Sequence, residues 1–257
     1  MITPTVTIAP DSLITKILYQ PLFNVLMLLY VYIPGQDLGL AIIALTLIIR
    51  LILYPSYAQT LLAQQQLKSI QPEIDRVKDL HKDDKPKQSQ ELMKVYKDNK
   101  VNPLGSCLPM IIQLPILYAL YRVFMVGLKV DSLELLYGWF PHVPTTINNI
   151  FLGFTGITAL QIDLAVPNIY LAVLAGGAQL VQSWLMVKFN PVGQGGGTAK
   201  IINMQMMYLF PIITVMIGLS LPAALSLYWV ATTVFTVIQQ IIVMYQFNKS
   251  KTNETRS

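Results

Sequence analysis

Cysteine is nearly absent: the chain has one, Cys107, which excludes an internal disulfide and any cysteine-based metal cluster. Charge is scarce too. Asp, Glu, Lys and Arg make up 12% of the 257 residues, whereas a soluble domain carries about a quarter. The two histidines, His81 and His142, both fall in polar connecting segments. Neither an HExxH metal motif nor a Walker-type phosphate loop occurs. Ser220 and Ser226 have no histidine or lysine near them to act as a base, which argues against an intramembrane serine protease. No catalytic site, metal or cofactor is expected. The opening MITPTVTIAPDS lacks a basic region and a small-residue cleavage site, so no removable signal peptide is expected there.

What replaces charge is long apolar sequence. Hydrophobic residues account for 54% of the chain, and mean hydropathy is +0.53. Five runs approach the ~20 residues needed to cross a bilayer: 38–57, 103–126, 168–189, 201–219 and 222–245. In lipid, each backbone polar group must be satisfied within its own segment or in a closed barrel. Barrel strands alternate apolar and polar residues, and these runs do not. The expected fold is an all-α membrane protein with a five-helix core.

Lysine and arginine in the short connections set the orientation. Segment 58–102 holds nine of them, from Lys68 to Lys100. Lys188 and Lys200 flank 190–200, and Lys249, Lys251 and Arg256 lie in the tail, 246–257. The connections on the other side contribute only Lys16 and Lys129. Five spans bring all three basic regions to one face, the cytoplasmic one. The N-terminal segment, 1–37, is then outside and the C-terminus inside. Within it, Pro21 interrupts 12–33, and Lys16, Gln20 and Asn24 recur every four residues on one helical face. This suits an amphipathic helix in the outer interface; a sixth span is the alternative.

Between the first two spans the sequence predicts a helical hairpin. Leu67, Ile70, Ile74 and Val77 form one apolar stripe, with Pro72 as a possible kink. A polar turn follows from His81 to Pro86, and a second helix over 88–100 turns Leu92, Val95 and Tyr96 inward. The stripe can pair with the second arm or remain for a partner. The outer connection, 127–167, carries Trp139, Phe140, Phe151 and Phe154, as suits a segment at the membrane surface. Gly193 to Gly197 reads as a flexible connector.

Arg50 is the sharpest single feature. It sits about seven residues from the inner end of the first run, roughly 10 Å deep at the helical rise. An arginine there costs about 2.5–3.5 kcal/mol by insertion scales. It can snorkel to the head groups or face a wet cavity between helices. Thr46 and Tyr54 share its face; Gln113 lies in the second run, and Gln179, Gln182 and Ser183 in the third. Thr232, Thr233, Thr236, Gln239 and Gln240 form a stripe in the fifth, running inward from Tyr228 and Trp229. Isolated polar pairs hold helices together; several stripes in one half of the membrane fit a shared hydrophilic groove better. A proton-coupled carrier would place a carboxylate or histidine at mid-membrane, and the four later runs contain none. Met204, Met206, Met207 and Met216 read as lipid-facing or core methionines, or as a sliding surface for varied helices.

At GLAIIALTLIIRLILYP (39–55), LKSIQPEIDRVKDLHKDD (67–84), ELMKVYKDNKVNPLGSCLPMIIQLPILYALYRV (91–123), LAVLAGGAQLVQSWLM (171–186) and MMYLFPIITVMIGLSLPAALSLYWVATTVFTVIQQ (206–240), the chain resembles the YidC/Oxa/Alb family of membrane protein insertases. NPLGSCLP and LPAALSLYW are its most specific motifs. The resemblance implies a five-helix core with an outer interfacial helix, and a groove open to the cytoplasm. There Arg50 would receive hydrophilic parts of a substrate, with Gln182 and Trp229 lining the path beside Thr46, Gln113, Thr232 and Thr233. It implies insertion and folding of nascent membrane proteins with short or acidic translocated segments. Ribosome, signal recognition particle receptor, Sec translocon and membrane lipids are its implied partners, without nucleic-acid sequence recognition. Neither the large domain before the core in many Gram-negative members nor the lipoprotein cysteine of many Gram-positive ones is expected here, and the segment after Tyr245 holds only three basic residues. A bacterial plasma membrane is the expected location. A small-anion channel or carrier using the same groove is the competing class.

Overall fold

The computed structural model describes residues 13, 15–102, 108–126, 130–140, 144, 146–189 and 204–254. Cys107, Lys129, His142, Lys200, Arg256 and the Gly193–Gly197 connector lie outside the described residues. After a π-helical turn, Thr15–Tyr19, come α1 (Gln20–Tyr32), α2 (Leu38–Ile52), α3 (Tyr54–Ser69), α4 (Gln71–Leu80), α5 (Lys85–Asp98), α6 (Leu108–Val126), α7 (Ile169–Phe189), α8 (Phe210–Ser220, entered through a π-helical turn, Gln205–Leu209) and α9 (Ala223–Glu254). The described strand is one two-residue antiparallel pair, β1 (Ile150–Phe151) and β2 (Ile162–Asp163). The molecule is all-α.

Among the described residues two helices, Ile169–Lys188 and Ala223–Gln246, are long and apolar enough to cross a membrane alone. Leu38–Ile52 and Tyr54–Ser69 together make a third, bent by 61°. Ile112–Met125 and Met207–Ser220 are shorter apolar helices. The α9 surface shows which solvent the fold is built for. Thr232, Thr233, Thr236, Gln239 and Gln240 are buried, while Val234, Ile238, Ile241 and Ile242 are exposed. In water, contiguous apolar exposure on this scale drives association; in hydrocarbon it carries no penalty, and the polar side chains are the ones that must turn inward.

The bend after α2 has a local cause. Pro55 has no N–H to give the Leu51 carbonyl and disfavours helical geometry in the residue before it. Leu53 N–H instead turns to Ile49 and Leu51, and the chain resumes as α3 with Pro55 in its first turn. The next break, at Ile70, puts Pro72 in the first turn of α4, so the first hairpin arm is two helices rather than one kinked one. Its stripe is covered by the second arm: Ile70, Ile74 and Val101 are buried, with Leu67, Leu92, Val95 and Tyr96 packed round them. Asp84 caps α5 by accepting from Lys87 N–H at 3.0 Å. Gln88 Nε2 donates to the Lys78 and His81 carbonyls at 2.9 and 3.2 Å and holds the turn.

The segment 130–166, expected on the outer side, is anchored to the helix ends by buried polar side chains. Asp37 caps α2 through Leu40 N–H at 3.0 Å and accepts from Leu152 N–H at 2.6 Å. Tyr30 Oη accepts from Asn148 N–H at 2.8 Å. The Phe151 ring lies directly on Gly39, in the space a Cβ would occupy. The first N–H groups of α9, Ala223 and Ala224, donate to the Val166 and Leu164 carbonyls at 3.0 and 3.1 Å. These bonds satisfy helix-start donors that would otherwise be orphaned. Asn24 departs from the water-facing role its spacing suggested. It is 2% exposed, donates to the Leu135 carbonyl at 3.0 Å and accepts from Tyr137 N–H at 2.8 Å. The polar face of α1 therefore meets the backbone of the outer segment, because each side supplies the partner the other lacks.

Candidate functional site: a polar cluster at the α2 elbow

Arg50 occupies the last turn of α2, where the carbonyl end of the helix favours a cation. The elbow at Leu53 ends the helix three residues later. From there the half-buried guanidinium reaches two other helices. Arg50 Nε donates to Thr232 Oγ1 of α9 at 2.8 Å. Arg50 Nη2 donates to Gln113 Oε1 of α6 at 3.4 Å, a long bond. Gln113 Nε2 in turn donates to the Tyr228 hydroxyl at 2.5 Å. Tyr228 and Thr232 are four residues apart and therefore share a face of α9. The result is a circuit of side chains joining α2, α6 and α9 round one fixed positive charge.

A guanidinium presents five N–H donors, and these bonds engage two of them. A cluster of this kind can hold an anionic group by charge and by paired N–H donors. Among the described residues, no group of three or more His, Cys, Asp or Glu could hold a metal ion.

The expected site residues separate into two sets. Arg50, Gln113 and Thr232 come together. Thr46 is buried one turn before Arg50 on α2, its hydroxyl donating to the Ile42 carbonyl at 2.7 Å. Thr233 is buried on α9 but rotated about 100° from Thr232. Trp229 packs against the apolar core. Gln182 is half-buried on α7 beside the buried Ser183; among the described residues no hydrogen bond joins it to the Arg50 circuit.

Sequence reading missed two participants and one further arginine. Tyr228 was noted only as the start of a stripe, yet it closes the circuit. Tyr57, seven residues beyond Arg50, lies with Tyr228 within electrostatic reach of the guanidinium, whereas Tyr54 contributes its carbonyl to Gln239 Nε2 at 3.5 Å. Arg122 carries the same signal as Arg50, an arginine in an apolar run, and was passed over. Its Nη1 donates to the Tyr118 hydroxyl at 3.3 Å and its guanidinium lies 5.9 Å from that ring's centroid.

An all-α protein with apolar helices outside and an arginine-centred polar cluster inside belongs to the class of helical membrane proteins with a charged interior. The sequence profile described as 60Kd inner membrane protein matches residues 29–251. Proteins named Membrane protein insertase YidC are similar to this chain in several bacteria. The one from Clostridium tetani is 37% identical over 224 residues, 86% of this chain and 88% of its own length. Those from Pelagibacter ubique and Caulobacter vibrioides are 35% and 32% identical, over 87% and 89% of this chain. The chain spans 38% and 36% of the lengths of these two relatives. The chain belongs to the 60Kd inner membrane protein family.

Proposed function

We propose that this protein is a membrane protein insertase, in which the Arg50 circuit forms the charged end of a hydrophilic groove open to the cytoplasm. The observation that carries the reading is Arg50 itself, bonded to Thr232 and Gln113 of two other helices in a chain whose relatives bear that name. Five spans put the hairpin, the α7–α8 connection and the tail in the cytoplasm and the 127–167 segment outside, as the lysine and arginine distribution favours. The outer segment tied to Asp37, Tyr30 and the start of α9 closes the opposite end.

The physics of the task accounts for this construction. Carrying a polar or acidic segment across hydrocarbon leaves its backbone and side chains unsatisfied, at several kcal/mol per group. A groove reaching part-way in shortens that path, and Arg50 attracts the carboxylates. The substrate's apolar helix then leaves sideways into lipid, driven by hydrophobic burial. Gln182 lines the approach, Thr46, Trp229 and Thr233 pack in the core round the circuit, and the hairpin receives the substrate or its delivery factors, among them the ribosome, the signal recognition particle receptor and the Sec translocon. The setting is a bacterial plasma membrane.

The test is rescue of bacterial cells depleted of their own insertase. Insertion of a small membrane protein with an acidic translocated segment is scored by protease protection. Rescue by the wild type and failure by Arg50→Ala is the expected result. Purified protein in liposomes that conducts small anions but inserts nothing would replace this reading with a channel.

A further inference from the structure

The polar stripe of α9 does not stop at the arginine. Gln239 and Gln240 are each 2% exposed, yet among the described residues Gln239 Oε1 and Gln240 Nε2 have no hydrogen-bond partner. The other end of Gln239 makes only a marginal contact, Nε2 to the Tyr54 carbonyl at 3.5 Å. Buried polar atoms are nearly always paired, and an unpaired one carries its full desolvation cost. An apolar side chain at either position would avoid that cost in a membrane helix. Two adjacent carboxamides held this way present one unmet acceptor and one unmet donor.

Their position connects them to the Arg50 circuit. Thr232, Thr236 and Gln240 follow at four-residue intervals and lie on one face, with Gln239 beside it. Thr232 receives Arg50, and Thr236 Oγ1 turns back to the Thr232 carbonyl at 2.7 Å. The carboxamides therefore sit roughly 10 Å further along the same seam at the helical rise. On α3 the seam is met by the Tyr54 carbonyl, the acceptor of that marginal bond. Neither carboxamide is ionisable, so this end of the stripe cannot select by charge.

We propose that Gln239 and Gln240 form an uncharged contact subsite for the backbone of an entering, extended polypeptide, at the cytoplasmic approach to Arg50. Gln239 Oε1 accepts from a substrate N–H and Gln240 Nε2 donates to a substrate carbonyl. Every residue except proline carries one such donor and one such acceptor, so the pair matches any sequence. Arg50 then adds a preference for acidic segments at the next step. The subsite rests on the insertase reading above.

The experiment uses the purified full chain in liposomes and one small membrane protein with either a neutral or an acidic translocated segment. Gln239→Leu combined with Gln240→Leu should slow insertion of both versions by about tenfold, the loss of one to two hydrogen bonds. A direct contact is read separately. With Cys107→Ser as background, Gln239→Cys should form disulfides with single cysteines stepped along the translocated segment, at several successive positions. Unchanged insertion of both versions by the double leucine variant would overturn the subsite, as would absence of any cross-link from position 239 while Arg50→Cys cross-links. A wild type that inserts neither version would instead remove the insertase reading, and the subsite with it.

Discussion

If Arg50 works by charge, its contribution must grow with the number of carboxylates that pass it. At about 5 Å and an effective dielectric near 20, a single carboxylate gains roughly 3 kcal/mol from the guanidinium, and water in the groove lowers this to about 1 kcal/mol. Each carboxylate should then be favoured by roughly 5- to 150-fold. Translocated segments carrying no, one or two aspartates, otherwise identical, separate this effect from the rest of the reaction. For the wild type, the cost of adding each aspartate should be small. For Arg50→Ala, the insertion rate should fall stepwise with each one, at least fivefold per residue. Arg50→Lys keeps the charge but loses the fork that reaches Thr232 and Gln113 together. It should keep the wild-type dependence on aspartate number at a lower overall rate. Protease protection in liposomes of fixed lipid composition supplies the rates. Equal dependence on aspartate number in the wild type and Arg50→Ala would refute the charge argument, whatever the absolute rates.

Three further outcomes follow from the packing. Asp37→Ala removes the α2 cap and the bond to Leu152 N–H; the cap is worth about 1 kcal/mol and the charge-assisted bond about 1.5–3 kcal/mol. Thermal unfolding in detergent should shift down by about 6–12 °C, with amide-exchange protection lost at Leu152. Gly39→Ala puts a Cβ where the Phe151 ring lies, so the ring must move and the outer segment loosen, at about 1–3 kcal/mol. Protease cleavage within 144–166 reports it. Ile74→Ala empties the small core of the hairpin for about 2–5 kcal/mol, and should raise amide exchange across α4 and α5 while leaving α7 and α9 unchanged.

The sequence made legible what depends on local pattern. Runs of apolar residues marked the helices, the three- and four-residue spacing of Leu67, Ile70 and Ile74 marked the hairpin face, and Thr232 to Gln240 marked the buried side of α9. A stripe names a face but not what covers it. Asn24 shows the difference. Its four-residue spacing with Lys16 and Gln20 is also what a water-facing helix would show. Its actual partners, the backbone of Leu135 and Tyr137, lie more than a hundred residues away in a segment without periodicity. The Gln113–Tyr228 bond was hidden for the same reason.

The elbow at Leu53 lay between these two cases. Pro55 was visible, and its effect on a helix is local, but reading 38–57 as one straight span placed Tyr54 on the face of Arg50 by simple periodicity. The 61° turn breaks that register. Beyond the turn the Tyr54 carbonyl meets Gln239, and Tyr57 lies within electrostatic reach of the charge. Pro55, three residues beyond the end of α2, stands at the point where the register changes. Relieving the elbow should straighten this junction. Pro55→Ala restores an N–H donor for the Leu51 carbonyl and should extend α2 by a turn or more. It should then weaken the Arg50–Thr232 bond even though neither residue is touched. Cysteines at 50 and 232 would cross-link less readily in Pro55→Ala than in the parent. Equal cross-linking would mean that helix packing, rather than the proline, holds the elbow.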